Sequence, residues 1–251
     1  MRVRGYAPGT PCWAVRCGGE VDRYAGFYAG LFGWDRCGTA FTRAGLAVAG
    51  TGAALPGTPA TWLTCMSTSD IGRSVAAVTA AGGTTLVPAA EVAPGGRYAV
   101  VADPAGAVFG FWERIAFAGA QLTGEPGSVC WSDLATRDQR QAEVFYQEAL
   151  GWSSRPGEIA GLPYSEWTCG GRAVAGMVAL PPEVPAQVPP RWQTTIEVDE
   201  LGPVLSRARD LGGTVLRGPV DVQVGWYAQL LDPQGAAFAA IELAPWLRTL
   251  G

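Results

Sequence analysis

The sequence repeats itself. Cys12-Trp13 returns as Cys130-Trp131, Phe27-Tyr28 as Phe145-Tyr146 and Gly33-Trp34 as Gly151-Trp152, all at one interval. Gly82-Gly83-Thr84 returns as Gly212-Gly213-Thr214, and Asp103-Pro104-x-Gly106 as Asp232-Pro233-x-Gly235. The order is collinear, so the chain is expected to hold two tandem copies of one architecture. The interval grows by about a dozen residues between the two blocks, so the second copy carries an insertion. Residues 181–190 (PPEVPAQVPP) supply much of it and read as a stiff, extended linker.

Each copy divides again into a short strand, an amphipathic helix stopped by glycine, and further strands. Asp138 is placed as an N-cap; Ala142, Phe145, Ala149 and Leu150 form one apolar stripe, and Gly151 ends the helix. A second stripe, Leu201, Val204, Leu205, Ala208 and Leu211, runs from about Asp199 to Gly212-Gly213. The first-copy equivalents are 22–32 and 70–81. Asp-Pro-x-Gly then joins two strands as a type I turn. The pattern predicts four βαβββ-like modules, at 10–55, 61–113, 128–181 and 191–243, in an α+β fold. The first domain is placed at 1–118, a linker at 119–127 and the second domain at 128–251.

Composition excludes whole classes of chemistry. The chain has 251 residues, 48% of them hydrophobic, enough for two small cores. All 18 cations are Arg, with no Lys and no His, so Schiff-base chemistry and His catalysis or ligation are absent. The six Cys form no CxxC pair, which argues against a zinc cluster. A net charge of −4 offers no basic footprint for nucleic acid. No apolar run approaches the ~20 residues of a membrane span, and the N-terminus lacks an apolar h-region. A cytoplasmic protein with reduced thiols is expected, a monomer (as a pseudo-dimer) or weak homodimer. No P-loop or dinucleotide fingerprint is present, and no cofactor is expected.

The segments Ala142-x-x-Phe145-Tyr146-x-x-x-Leu150-Gly151-Trp152, Gly170-Gly171-Arg172-Ala173-Val174-Ala175-Gly176-Met177, Val198-Asp199-Glu200-Leu201, Leu211-Gly212-Gly213 and Asp232-Pro233-Gln234-Gly235, in this order, resemble the vicinal oxygen chelate superfamily. That superfamily includes glyoxalases, bleomycin-resistance proteins and extradiol dioxygenases. The resemblance implies two tandem domains with curved mixed sheets and outer helices. The tandem form is similar to an actinobacterial branch, some members of which accompany aromatic polyketide pathways. It also places the metal ligands of metal-binding members at Trp13, Leu63 and Gly110 in the first copy and at Trp131, Gln193 and Ala239 in the second. Of these only Gln can ligate, so no metal is expected. Glu113 and Glu242 fall three residues late, on the opposite strand face.

Strand alternation from those positions lists the cleft-facing residues. The first copy offers Trp13, Val15, Cys17, Leu63, Cys65, Ser67, Val108, Gly110 and Trp112, a mostly apolar set. The second offers Trp131, Asp133, Ala135, Gln193, Thr195, Glu197, Ala237, Ala239 and Ile241. Asp133 and Glu197 therefore become candidate acid/base groups, with Trp131, Gln193, Thr195, Trp13, Trp112, Tyr227 and Arg172 as candidate ligand contacts. The plain alternative puts the two carboxylates at wet edges, paired with Arg140 or Arg172, and the two Trp in the core. Cys12 and Cys130 should face the helices. Arg16, at a helix-facing position that Leu134 fills in the copy, implies a shifted strand or a side chain that reaches out to water.

Three functional readings follow. One is a metal-independent protein that binds a hydrophobic, polyketide-like aromatic molecule and drives its cyclisation, isomerisation or dehydration with carboxylates. The second is a non-catalytic, drug-sequestering self-resistance protein of the bleomycin-resistance type. The third is a structural remnant without a ligand.

Overall fold

A computed structural model describes residues 1–93 and 95–248. The first copy comprises β1 (Pro11–Cys17), α1 (Val21–Phe32), β2 (Asp35–Cys37), β3 (Ala40–Arg43), β4 (Leu46–Gly52), β5 (Thr61–Thr68), α2 (Ile71–Ala80), β6 (Thr84–Val92), β7 (Gly96–Ala102) and β8 (Val108–Arg114). The second comprises β9 (Val129–Thr136), α3 (Gln139–Leu150), β10 (Ser153–Ile159), β11 (Leu162–Cys169), β12 (Arg172–Ala179), β13 (Arg191–Glu197), α4 (Leu201–Asp210), β14 (Thr214–Asp221), β15 (Gly225–Leu231) and β16 (Ala237–Leu243). A short helix, α5 (Pro245–Arg248), follows.

Among the described residues the strands form two eight-stranded mixed sheets of identical topology, β2-β3-β4-β1-β5-β8-β7-β6 and β10-β11-β12-β9-β13-β16-β15-β14. In each, the first strands of neighbouring modules run antiparallel at the centre, β1 with β5 and β9 with β13. The four βαβββ modules and the α+β class are as the repeats implied, and modules pair their strands within a copy.

Their helices pair across copies. One core joins Tyr24, Phe27 and Tyr28 of α1 to Leu201, Leu205 and Phe238 of the last module. The other joins Ile71, Val78 and Phe109 of the second module to Phe145, Tyr146 and Trp152 of the third. The helix-bearing faces therefore meet between the sheets, and each sheet's other face is left to form a cleft.

The stops and caps are local chemistry. Gly33 and Gly151 end α1 and α3 at φ 68° and 69°, which glycine adopts without a Cβ clash. Asp70 and Asp138 accept from the backbone N–H of Arg73 and Gln141. Glu113 and Glu242, on the helix side as alternation required, accept from the first N–H groups of α2 and α4 at Ile71 and Leu201.

Arg16 resolves differently from either expectation. Its strand keeps register from Trp13 to Cys17, and the side chain is fully buried rather than turned to water. Nε meets Asp232 Oδ2 at 2.7 Å, Nη1 donates to the carbonyls of Cys17 and Gly18, and the guanidinium lies 4.5 Å from the Tyr24 ring centre. Asp232 belongs to the Asp-Pro turn of the other copy, so its demand for a cation is met across the repeat.

Candidate active site in the second cleft

The two clefts have diverged. In the first, Trp13 and Trp112 are buried at 5% and 4% exposure. Phe117, just beyond β8, packs edge-on against both rings at 5.0 and 5.9 Å, and its carbonyl accepts the Trp112 indole N–H. Tyr6 closes over the same core, its hydroxyl donating to the Ala120 carbonyl. Trp13 and Trp112 are thus buried core residues of the first copy, apart from the second cavity.

The second cleft is open, with a cavity of about 730 Å³. Trp131, Asp133 and Ala135 from β9 and Arg191, Gln193 and Thr195 from β13 share its floor; Tyr164 and Glu166 from β11 and Tyr227 and Gln229 from β15 form sides. Ile159, Leu162, Val220, Val222 and Leu243 make much of the rest apolar. The inserted segment is not an extended linker. It turns twice, Val184 N–H to the Pro181 carbonyl and Val188 N–H to that of Pro185. Arg137 gathers the carbonyls of Val184, Pro185 and Val188. Pro181 and Val184 thereby become cavity wall.

Asp133 is the centre of the polar group. Its Oδ1 accepts from the Tyr164 hydroxyl at 3.0 Å and from Trp131 Nε1 at 3.1 Å; that indole N–H also reaches the Tyr164 oxygen at 3.1 Å. Burial raises the carboxyl to about 6, against the two hydrogen bonds, which stabilise the anion. The Trp131 N–H, like the Tyr164 hydroxyl, works against that rise. Burial and the Asp133 charge push the Tyr164 phenol upward, so it stays a donor. Gly176 of β12 lies opposite Asp133; a methyl there would overlap Asp133 Oδ1 and the Tyr164 hydroxyl, so the pair depends on a residue without a side chain.

Gln193 pairs with Asp133 and Thr195 with Trp131 across the central ladder. With its amide oxygen turned inward, Gln193 accepts from the N–H groups of Phe238 and Ala239. Its amide nitrogen and the unpartnered Thr195 hydroxyl are then available for a ligand. Glu197 is buried one rung beyond Trp131 and outside the cavity lining, near enough to Cys130 for its charge to raise that thiol. Alternation gave its face but not its depth. Arg172 is exposed at the β11–β12 turn, paired with Cys169, and is off the cavity. Neither Arg140 nor Arg172 pairs with the two carboxylates in the ion pairs of the described residues.

Sequence reasoning missed Cys130. The β9–β13 register slips between Thr195 and Ile196, a bulge that turns Cys130 into the cavity rather than toward the helices. A slip between Pro11 and Trp13 does the same to Cys12. Arg191 was also missed, though the alternation that gave Gln193 and Thr195 reaches it one step earlier.

The residues 129–241 match a model of the glyoxalase-like domain, covering the copy with the open cavity. Over 95% of its length the chain is 35% identical to the anthracycline biosynthesis protein DnrV of Streptomyces peucetius, covering 94% of that protein. The chain belongs to the vicinal oxygen chelate (glyoxalase) family. It is also 32% identical to CFP32 of Mycobacterium tuberculosis, which carries a glyoxylase name, over 96% of this chain and 97% of that one. Among solved structures, the Mn(II)-bound glyoxalase of Novosphingobium aromaticivorans has the same fold, with TM-score 0.63 at 17% identity over 94% of this chain and 83% of that one.

The side chains here do not fit such a metal. Trp131, Gln193 and Ala239 occupy the positions the family resemblance assigns to ligands, and among the described residues no three His, Cys, Asp or Glu converge. Among the same residues no helix is long and apolar enough to cross a membrane.

Proposed function

We propose that this member of the family binds a planar, polyketide-type aromatic molecule in the second cleft and moves a proton on it with Asp133, without a resident metal. The observation that carries this reading is one buried carboxyl, raised to about 6 and oriented by Tyr164 and Trp131, on the floor of a largely apolar cavity. A cavity of about 730 Å³ suits a ligand of several fused rings. Trp131 offers an aromatic surface beside the carboxyl. The likeness to an anthracycline biosynthesis protein supports the substrate class.

The chemistry is enolisation. Asp133 as carboxylate takes a proton from carbon next to a carbonyl, and the electron pair moves onto the carbonyl oxygen, held by Thr195 or Gln193. The protonated Asp133 then returns the proton to another carbon, an isomerisation, or to a departing hydroxyl that leaves as water, a dehydration. Attack of the enol carbon on a second carbonyl gives cyclisation. A carboxyl near 6 is matched to both transfers.

The test incubates purified protein with polycyclic β-hydroxy-ketone or diketone substrates and follows product by mass spectrometry and solvent deuterium uptake. Product from the parent and its loss in Asp133→Asn supports the reading. Tight binding with neither product nor deuterium exchange makes the protein a sequestering binder instead. Full activity in Asp133→Asn removes the proposal.

A further inference from the structure

Arg191 lines the cavity and makes no ion pair among the described residues. Its Nη1 is buried and has no hydrogen-bond partner. The two carboxylates on the cavity wall are committed elsewhere, Asp133 to Tyr164 and Trp131, and Glu166 to Arg155 at 3.0 Å. Arg137, the nearby cation, is spent on the inserted segment's carbonyls. A guanidinium nitrogen left inside the protein without a partner is costly and calls for an explanation. Arg217 of β14 also lines the cavity, and Tyr227 lies near Asp133 and both arginines.

We infer that the ligand carries an anionic oxygen group, a carboxylate or an ionised phenol, and that Arg191, assisted by Arg217, binds it. This rests on the reading of the second cavity as the ligand site. The planar fork of an arginine matches a carboxylate in two parallel hydrogen bonds. Arg191 and Gln193 lie two residues apart on β13, about 7 Å along the strand, and Gln193 is level with Asp133. An anion seated on Arg191 therefore sets the ring system over Asp133, one ring further along the cleft. A pose that puts the anion against Asp133 instead meets a carboxylate and is repelled. Arg191 is thus a positioning residue: it fixes which carbon meets the carboxylate.

The experiment uses the intact chain and three probes: anthraquinone-2-carboxylic acid, its methyl ester, and 2-hydroxyanthraquinone, each titrated by quenching of Trp fluorescence at low and high salt. The acid is expected to bind at least tenfold more tightly than the ester, with the margin shrinking in salt. A matching gain for the hydroxy compound above its phenol pKa would identify phenolate as a second accepted anion, and its absence would narrow the site to carboxylate. Arg191→Met should abolish the acid's advantage while leaving ester affinity within twofold, and Arg191→Lys should keep part of it. Unliganded Arg191→Met should melt no lower than the parent, because the nitrogen left without a partner has been removed. Equal affinity for acid and ester in the parent, with no gain for the phenolate, would overturn the inference and leave the cavity reading intact, as would equal weakening of acid and ester by Arg191→Met. Failure of all three probes to bind would overturn the cavity reading itself.

Discussion

Val15 and Asp133 hold matching places in the first strands of the two copies, and the exchange of one for the other sets the character of each cleft. With its carboxyl raised to about 6, Asp133 acts as a base only when ionised, so turnover should rise with pH through about 6 and level off above it. Asp133→Asn should lower turnover by about 10²- to 10⁴-fold, measured as product formation. Stability should move the other way. The folded state holds the Asp133 proton more tightly than the unfolded chain, so this group's contribution is most favourable below about 4 and is lost as pH rises through 6. Asp133→Asn should therefore be more stable than the parent at pH 7–8, by as much as about 3 kcal/mol, with the gap closing in acid. Urea unfolding followed by circular dichroism across that range checks it. Trp131→Ala should weaken aromatic binding at least tenfold, about 1.4 kcal/mol, by the same quenching titration read through the remaining tryptophans. Unchanged affinity would place the ligand elsewhere. At this scale Trp131, Asp133, Gln193 and Thr195 were legible through period-two alternation, once the family resemblance had set which face is inward. The sequence could not report that Tyr164, from a strand two places away in the sheet order, would supply the hydroxyl, nor that a bulge would bring Cys130 inward.

The elements around the second cleft make room for its carboxylate, although Val15 in the first copy also faces a glycine, Gly50. Gly176 on β12 leaves the space in which Asp133 and Tyr164 meet, and the segment 181–190 closes the wall beside them. In the first copy no comparable insertion exists, and Phe117 with its neighbours falls into the cleft. Gly176→Ala should separate Asp133 from Tyr164 without touching either helix-side core. Its expected signature is a tenfold or larger loss of turnover with a shifted pH midpoint, and a cooperative unfolding transition that survives. An unaltered pH profile would mean that the Tyr164 contact does not tune the carboxyl. The helices were legible to within a residue or two, because Asp70, Asp138, Gly33 and Gly151 mark their ends by local chemistry. The 181–190 segment was misread because proline content speaks for stiffness, whereas its path is decided by Arg137, distant in sequence.

The two copies share more than a chain connection. Strands pair within a copy, but each helix-side core takes residues from both. Matching relays cross the same boundary: Trp62 donates to Tyr28 and Tyr28 to Asp232, while Trp192 donates to Tyr146 and Tyr146 to Asp103. Arg16 strengthens one relay only. In the other, Asp103 relies on Tyr146 and the N–H groups of Ala105 and Ala107, and burial raises its carboxyl. The repeat announced two copies in the sequence, yet its very symmetry hid the interlock, because a residue cannot be seen to pack against its own copy or the other from periodicity. The consequence is testable. Residues 1–118 and 128–251 expressed apart each expose a face that carries Phe27 and Tyr28, or Phe145 and Tyr146, and neither half has its partner's aromatics to cover it. Each half alone should bind a hydrophobic dye and lack a sharp thermal transition, whereas mixing or co-expression should restore one cooperative transition. In the intact chain, Arg16→Leu leaves Asp232 buried beside Tyr28 with its cation gone. It should cost about 3–5 kcal/mol by denaturant unfolding, in a single transition, because the pair lies between the copies rather than inside one. Two separated transitions in the parent or the variant would show that the copies are independent after all.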